Sequence, residues 1–112
     1  MPIWRALGGV SAVEPDGVRY LLQHEQPLVI DARGADEFAA TSFTGAVNVP
    51  LMDVSEALGD GRVPTDDYTI RIVVFGDDGA QARAVAEGLT RAAFINAGYF
   101  TGTATEFLDL AR

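Results

Sequence analysis

The densest chemical potential in this sequence lies in Gly76-Asp77-Asp78-Gly79, which breaks sharply from the apolar run Ile70-Arg71-Ile72-Val73-Val74-Phe75. Two carboxylates at the end of a strand suit general-base or nucleophilic work, the latter as in aspartyl-phosphate chemistry. The same pair suits a quieter task, capping the helix that starts near Ala80 and meeting its positive end. The glycines let the backbone turn tightly and aim successive N–H groups at one spot. Gly76, Gly79, Ala80 and Gln81 are therefore a candidate anion nest, with Arg83 either reaching it or facing solvent along the helix. Acids facing that nest would oppose an incoming anion. The loop lacks the lysine and length of a Walker loop and the Gly-x-Gly-x-x-Gly of a dinucleotide fingerprint.

Absent side chains narrow the chemistry further. The 112 residues include no cysteine, no lysine (all eight basic residues are arginine) and one histidine, His24. Without cysteine there is no disulfide, thiolate nucleophile, persulfide carrier, zinc ribbon or iron–sulfur cluster. Without lysine there is no Schiff base. His24 sits at an expected helix end, where a histidine meets the last carbonyls. No metal and no cofactor are expected. What remains is carboxylate chemistry, or binding without chemistry.

The formal net charge of −8 disfavours nucleic acid and anionic membranes as partners. Met1–Val10 shows no basic segment followed by a long apolar core, and an apolar run such as Ile72–Phe75 is far too short for a bilayer. A cytoplasmic protein is the expectation. Hydrophobic residues at 48% and charged residues at 21% describe an ordinary folded domain. A chain of this length makes one domain that buries roughly two-thirds of its unfolded surface.

The elements that position the loop follow from periodicity and punctuation. Val18, Leu21 and Leu22 recur at helical spacing after Pro15, predicting a helix from Pro15 to about His24 that Pro27 stops. Leu28-Val29-Ile30-Asp31 reads as a buried parallel strand, followed by a turn at Gly34 and a short helix Asp36–Ala40. Ala46–Val49 is a second strand, Asp53–Leu58 one or two helical turns, and Arg62–Thr69 a surface loop. Ile70–Phe75 is the strongest strand. Ala82, Val85, Ala86 and Leu89 then mark an amphipathic helix running to about Arg91. Phe94–Phe100 supplies another strand, and Thr103-x-x-Glu106 is a capping box opening a C-terminal helix. Trp4, Phe94, Tyr99, Phe100 and Phe107 read as packing residues. Alternating strands and helices predict an α/β domain with a mostly parallel sheet.

Three stretches taken together resemble the rhodanese-like domain of sulfurtransferases, over roughly Val10 to the C-terminus. Val29-Ile30-Asp31-Ala32-Arg33-Gly34-Ala35-Asp36-Glu37-Phe38 is similar to the family's Asp-x-Arg with an acidic pair and an aromatic. Thr41-Ser42-Phe43-Thr44-Gly45-Ala46-Val47-Asn48-Val49-Pro50 is similar to its Gly-His-Ile-Pro-Gly-Ala-x-Asn-x-Pro, with Ser42 at the histidine position. Phe100–Phe107 follows the terminal Gly-Gly-x-x-x-Trp in outline, the glycine pair reduced to Gly102-Thr103. The resemblance implies a single rhodanese-like domain over 1–112, with its core from about residue 10 and residues 1–9 as an N-terminal strand or extension. It implies a central, mostly parallel five-stranded sheet with helices on both faces.

In that family the strong strand ends in a cysteine, and a Cys-x-x-Gly loop cradles a persulfide. The alignment puts Gly76 at the cysteine and Gly79 at the loop glycine, leaving a degenerate loop, Gly76 to Gln81, with no catalytic residue. Asp31, Arg33, Glu37, Gly45 and Gly102 are the retained structural motif, with a pairing of Arg33 to Glu37 expected. The implied function is a silent binding or regulatory module with a protein partner, since related non-catalytic domains serve phosphatases and ubiquitin-pathway proteins as docking units. Two alternatives stand beside it: an accessory subunit whose sulfur-metabolism partner supplies the cysteine, and a carboxylate enzyme using Asp77 or Asp78. The oligomeric state is left open by the sequence.

Overall fold

The computed structural model describes residues 10–111. Its elements in order are β1 (Ser11–Val13), α1 (Pro15–His24), β2 (Leu28–Asp31), α2 (Ala35–Ala40), β3 (Val47–Asn48), a 3-10 turn (Leu51–Asp53), α3 (Val54–Asp60), β4 (Ile72–Phe75), α4 (Gly79–Arg91), β5 (Ala97–Phe100) and α5 (Ala104–Leu110). The five strands form one sheet in the order β1-β5-β4-β2-β3. Every pairing in it is parallel. The strand or extension expected over residues 1–9, including Trp4, lies outside the described residues. One edge strand, β1 at Ser11–Val13, has three residues, too short for its period to be read from the sequence.

Strand β4 is central and buried at all four positions, as a parallel strand covered on both faces must be. Its side chains alternate between two cores, because successive residues of a strand point to opposite faces. Ile72 and Val74 join Ile30, Val85, Leu89 and Phe94 on one face. Val73 and Phe75 join Val18, Val29, Phe100 and Phe107 on the other. Helix α4 covers the first face with Ala82, Val85, Ala86 and Leu89, the four positions that its spacing marked. Helices α1 and α5 cover the second through Val18 and Phe107.

Element ends follow local chemistry. Pro15 occupies the first turn of α1, where its missing N–H removes no helical bond. His24 lies in the last turn of α1 with its ring 4.7 Å from that of Tyr20. The strand expected over Phe94–Phe100 begins only at Ala97. The preceding residues still close α4, with the Ala93 N–H donated to Thr90 O and the Phe94 N–H to Leu89 O. Ala93 takes φ 87, the left-handed region usually left to glycine, so no glycine marks the end of this helix. Phe94, Phe100 and Phe107 are buried and Tyr99 is half-buried, in keeping with packing roles. Among the described residues, no helix is long and apolar enough to cross a membrane.

The capping box read at Thr103-x-x-Glu106 is present. The Glu106 N–H donates to Thr103 Oγ1 at 3.2 Å, and the Thr103 N–H donates to Glu106 Oε1 at 2.9 Å. The bond from the Thr103 N–H, helped by the hydroxyl, holds the Glu106 carboxyl below its ordinary value of 4.5. A depressed carboxyl stabilises the fold above its unfolded value and loses that contribution as pH falls through the lower, folded one. Stability measured by urea unfolding is therefore expected to fall as pH drops below 4.5. Glu106→Gln, which keeps an acceptor but cannot titrate, is expected to flatten that fall; an unchanged pH profile would remove Glu106 as its source.

Candidate functional site

The sheet register brings three strand ends level, because Asp31 pairs with both Asn48 and Phe75. Ligands in open α/β sheets sit at such carboxyl ends. The loop after β4 starts there. Gly76 is buried, Asp77 and Asp78 are exposed, and α4 begins at Gly79. Asp78 is the N-cap, its Oδ1 accepting the Gln81 N–H at 2.9 Å. Gln81 folds back in return, and its Oε1 accepts the Asp77 N–H at 2.7 Å. This is a capping box displaced by one residue, since the returning side chain takes the N–H before the cap. Asp78-x-x-Gln81 carries that signal in the sequence.

The loop glycines serve close approach, not the left-handed backbone that a tight nest would need. Gly45 and Gly61 are the described glycines with positive φ, so neither Gly76 nor Gly79 adopts it. A Cβ at Gly79 would lie 2.8 Å from Thr101 O, so α4 can lie this close to the β5–α5 connection only without one. A Cβ at Gly76 would lie 2.6 Å from Gln81 Oε1. Of the N–H groups expected to face an anion, that of Gln81 is already bonded to Asp78, and the neighbouring Asp77 N–H is bonded to the Gln81 side chain. Ala80 is exposed in the first turn of α4. Arg83 does not turn to the loop; its Nε lies 3.3 Å from Glu87 Oε2, one turn along the exposed face of α4.

Beside the loop lies a buried ion pair. Asp31 is fully buried, and Arg33 is 8% exposed. Asp31 Oδ1 accepts the Arg33 N–H at 3.0 Å, and the guanidinium reaches the carboxylate through Nε at 3.1 Å and Nη2 at 2.9 Å. Ser42 donates its hydroxyl to Asp31 Oδ2 at 2.8 Å, and Arg33 Nη2 also donates to Thr41 O. Asn48 Nδ2 ties the two backbones, donating to Asp31 O at 3.1 Å and Arg33 O at 2.8 Å. The guanidinium lies 5.7 Å from the centre of the Phe75 ring. Its hydrogen bonds to Asp31 raise the Arg33 pKa above its ordinary value against the opposing effect of burial, so it stays charged.

The pairing expected between Arg33 and Glu37 is corrected by this geometry. Glu37 is exposed in the first turn of α2 and acts on Arg33 only through its charge. Asp31 wins because it is buried two residues away, where its charge needs a partner and Glu37's does not. Ser42 and Asn48 were not singled out as site residues, although both fall in the stretch 41–50. Gly45 makes the turn into β3 at φ 91, and Gly102 lies against the Phe100 ring, where a Cβ would meet it at 2.8 Å. A surface depression of about 270 Å³, lined by Thr41, Ser42, Phe43, Thr44, Leu108 and Ala111, adjoins Ser42 and not the loop.

This arrangement offers no nucleophile at position 76, one carboxylate spent on a helix cap and one exposed to water. Among the described residues, no group of three His, Cys, Asp or Glu side chains is gathered to hold a metal ion.

A model of the rhodanese-like domain matches residues 14–109. Solved structures share the fold. The human single-domain sulfurtransferase TSTD1 is 21% identical with a TM-score of 0.77, over 90% of this chain and 97% of that one. The Saccharomyces cerevisiae single-domain sulfurtransferase RDL2 is 21% identical with a TM-score of 0.70, over 90% of each chain. A rhodanese-like domain protein from Staphylococcus aureus is 17% identical with a TM-score of 0.69, over 88% and 91%. No curated protein matches the chain.

Proposed function

From the chain's membership of the rhodanese-like domain family, we propose that it is a catalytically silent relative of the sulfurtransferases, a module that binds or regulates a protein partner. The observation that carries this reading is Gly76. It follows the central strand at the position where the resemblance places the sulfur-accepting cysteine, and it has no side chain. Sulfur transfer from thiosulfate needs a thiolate to take the outer sulfur and release sulfite. The resulting persulfide then hands that sulfur to an acceptor, and the thiolate is recovered. Only a thiolate can do this, and the chain has no cysteine anywhere. The retained Asp31–Arg33 network and the capped loop support a frame kept for its shape. The carboxylate alternative has less behind it, because Asp78 serves α4 as its cap.

The test is thiosulfate:cyanide sulfurtransferase activity of the purified chain, read as thiocyanate. Formation at the rate of a protein-free control is the expected result. Protein-dependent turnover, lost on heating, would overturn the proposal.

A further inference from the structure

We propose that Gly76 and Gln81 form an exclusive pair, in which the Gln81 carboxamide is the loop's own occupant of the space a side chain at position 76 would fill. The inference deepens the reading above, on which it rests for what the loop no longer does, but its geometry stands independently. An ideal Cβ at position 76 would sit 2.6 Å from Gln81 Oε1 and 3.3 Å from both Gln81 Cβ and Ala82 N. The first distance cannot be tolerated; the other two need shifts of a few tenths of an ångström. The obstructing atom is the far end of a flexible side chain, so the carboxamide, and not the backbone, is what must leave.

Gln81 does more there than fill space. Its Oε1 is the acceptor for the Asp77 N–H at 2.7 Å, and the Gln81 N–H is in turn held by Asp78. The φ of residue 76 gives no separate reason for glycine there, since it lies outside the left-handed region. The missing side chain and the inward glutamine therefore belong to one arrangement: the loop is closed from within, and its first free N–H is answered by its own chain. Any side chain at 76 expels the carboxamide and leaves the Asp77 N–H without this acceptor.

A four-variant cycle tests the pair by urea unfolding: the unaltered chain, Gly76→Ala, Gln81→Ala and the double variant. With Gly76 in place, loss of one hydrogen bond at Gln81→Ala is expected to lower the folded-to-unfolded ratio about fivefold. In the Gly76→Ala background the same substitution is expected to cost nothing, because the carboxamide no longer holds the Asp77 N–H, and to restore stability to the extent that the displaced carboxamide strains the loop. Amide exchange at Asp77 should quicken equally in Gly76→Ala and Gln81→Ala. Additive effects, or an Asp77 amide still protected in Gly76→Ala, overturn the proposal. If Gly76→Ala does not fold, recovery of folding in the double variant supports the pair; failure of both variants overturns it. Thiocyanate formation by the unaltered chain would refute silence and leave a non-additive cycle standing.

Discussion

Replacing Asp31 with alanine is expected to remove about 3–5 kcal/mol of stability, the range for breaking a buried ion pair from one side. The magnitude follows from what is left behind. Asp31 is fully buried, and the Arg33 side chain is 10% exposed. Without the carboxylate, the guanidinium keeps Thr41 O and the face of Phe75 but loses its charge partner. The Arg33 N–H and the Ser42 hydroxyl lose their acceptor as well. Ion pairs at the surface behave differently. Arg83 and Glu87, 56% and 37% exposed, form an i,i+4 pair worth about 0.3–0.5 kcal/mol.

Glu37→Ala is the internal control, expected to change stability by less than about 0.5 kcal/mol because the side chain is exposed and makes no ion pair with Arg33. Urea unfolding followed by circular dichroism gives both values. A loss under about 1 kcal/mol for Asp31→Ala would mean that the guanidinium swings out to water, and the network would then not be what locks the β2–α2 connection.

The contrast between Asp31 and Glu37 also marks how far this sequence can be read. Elements were legible where a period or a cap writes them into residue types. Ile72-Val73-Val74-Phe75 is apolar throughout because both of its faces are covered. The face of α4 repeats at helical spacing, and Pro15 and Thr103-x-x-Glu106 announce helix starts. The α/β order and the mostly parallel sheet followed from those signals; the five strands and the family followed from the resemblance that three motif stretches carry in order.

Pairings were less legible, because spacing leaves more than one partner in range. Asp31 and Glu37 lie two and four residues from Arg33, and burial, which no spacing reports, decides between them. Asp78 was legible as a cap or as a catalyst, and the extended backbone at 78 together with the Gln81 N–H at 2.9 Å puts it on the cap. The inward fold of Gln81 is a rotamer choice made possible by the empty space at Gly76. Ala93 hid the end of α4, since a left-handed alanine looks like any helical alanine in a sequence.

Phe107→Ala is expected to cost about 3–5 kcal/mol, as for other buried aromatics truncated in a packed core, and to weaken the floor of the loop. Phe107 is fully buried. Its ring stacks on Phe75 at 4.3 Å and 6°, and it meets Phe100 edge-on at 5.5 Å and Phe43 at 6.3 Å. Truncation therefore removes one ring from three aromatic contacts and opens a void between α5 and the sheet. Phe75 is the consequential neighbour, because it is the last residue of β4 before Gly76 and carries the Arg33 guanidinium over its ring. Phe107→Leu keeps much of the buried apolar volume and should lose markedly less. Unfolding curves give the energies, and amide exchange at Asp77 reads the loop. Faster exchange in Phe107→Ala, with Phe107→Leu nearer the unaltered chain, is expected if the packing under Phe75 holds the loop. Equal exchange in all three would show that Asp78 and Gln81 fix the loop by themselves, whatever the core beneath it does.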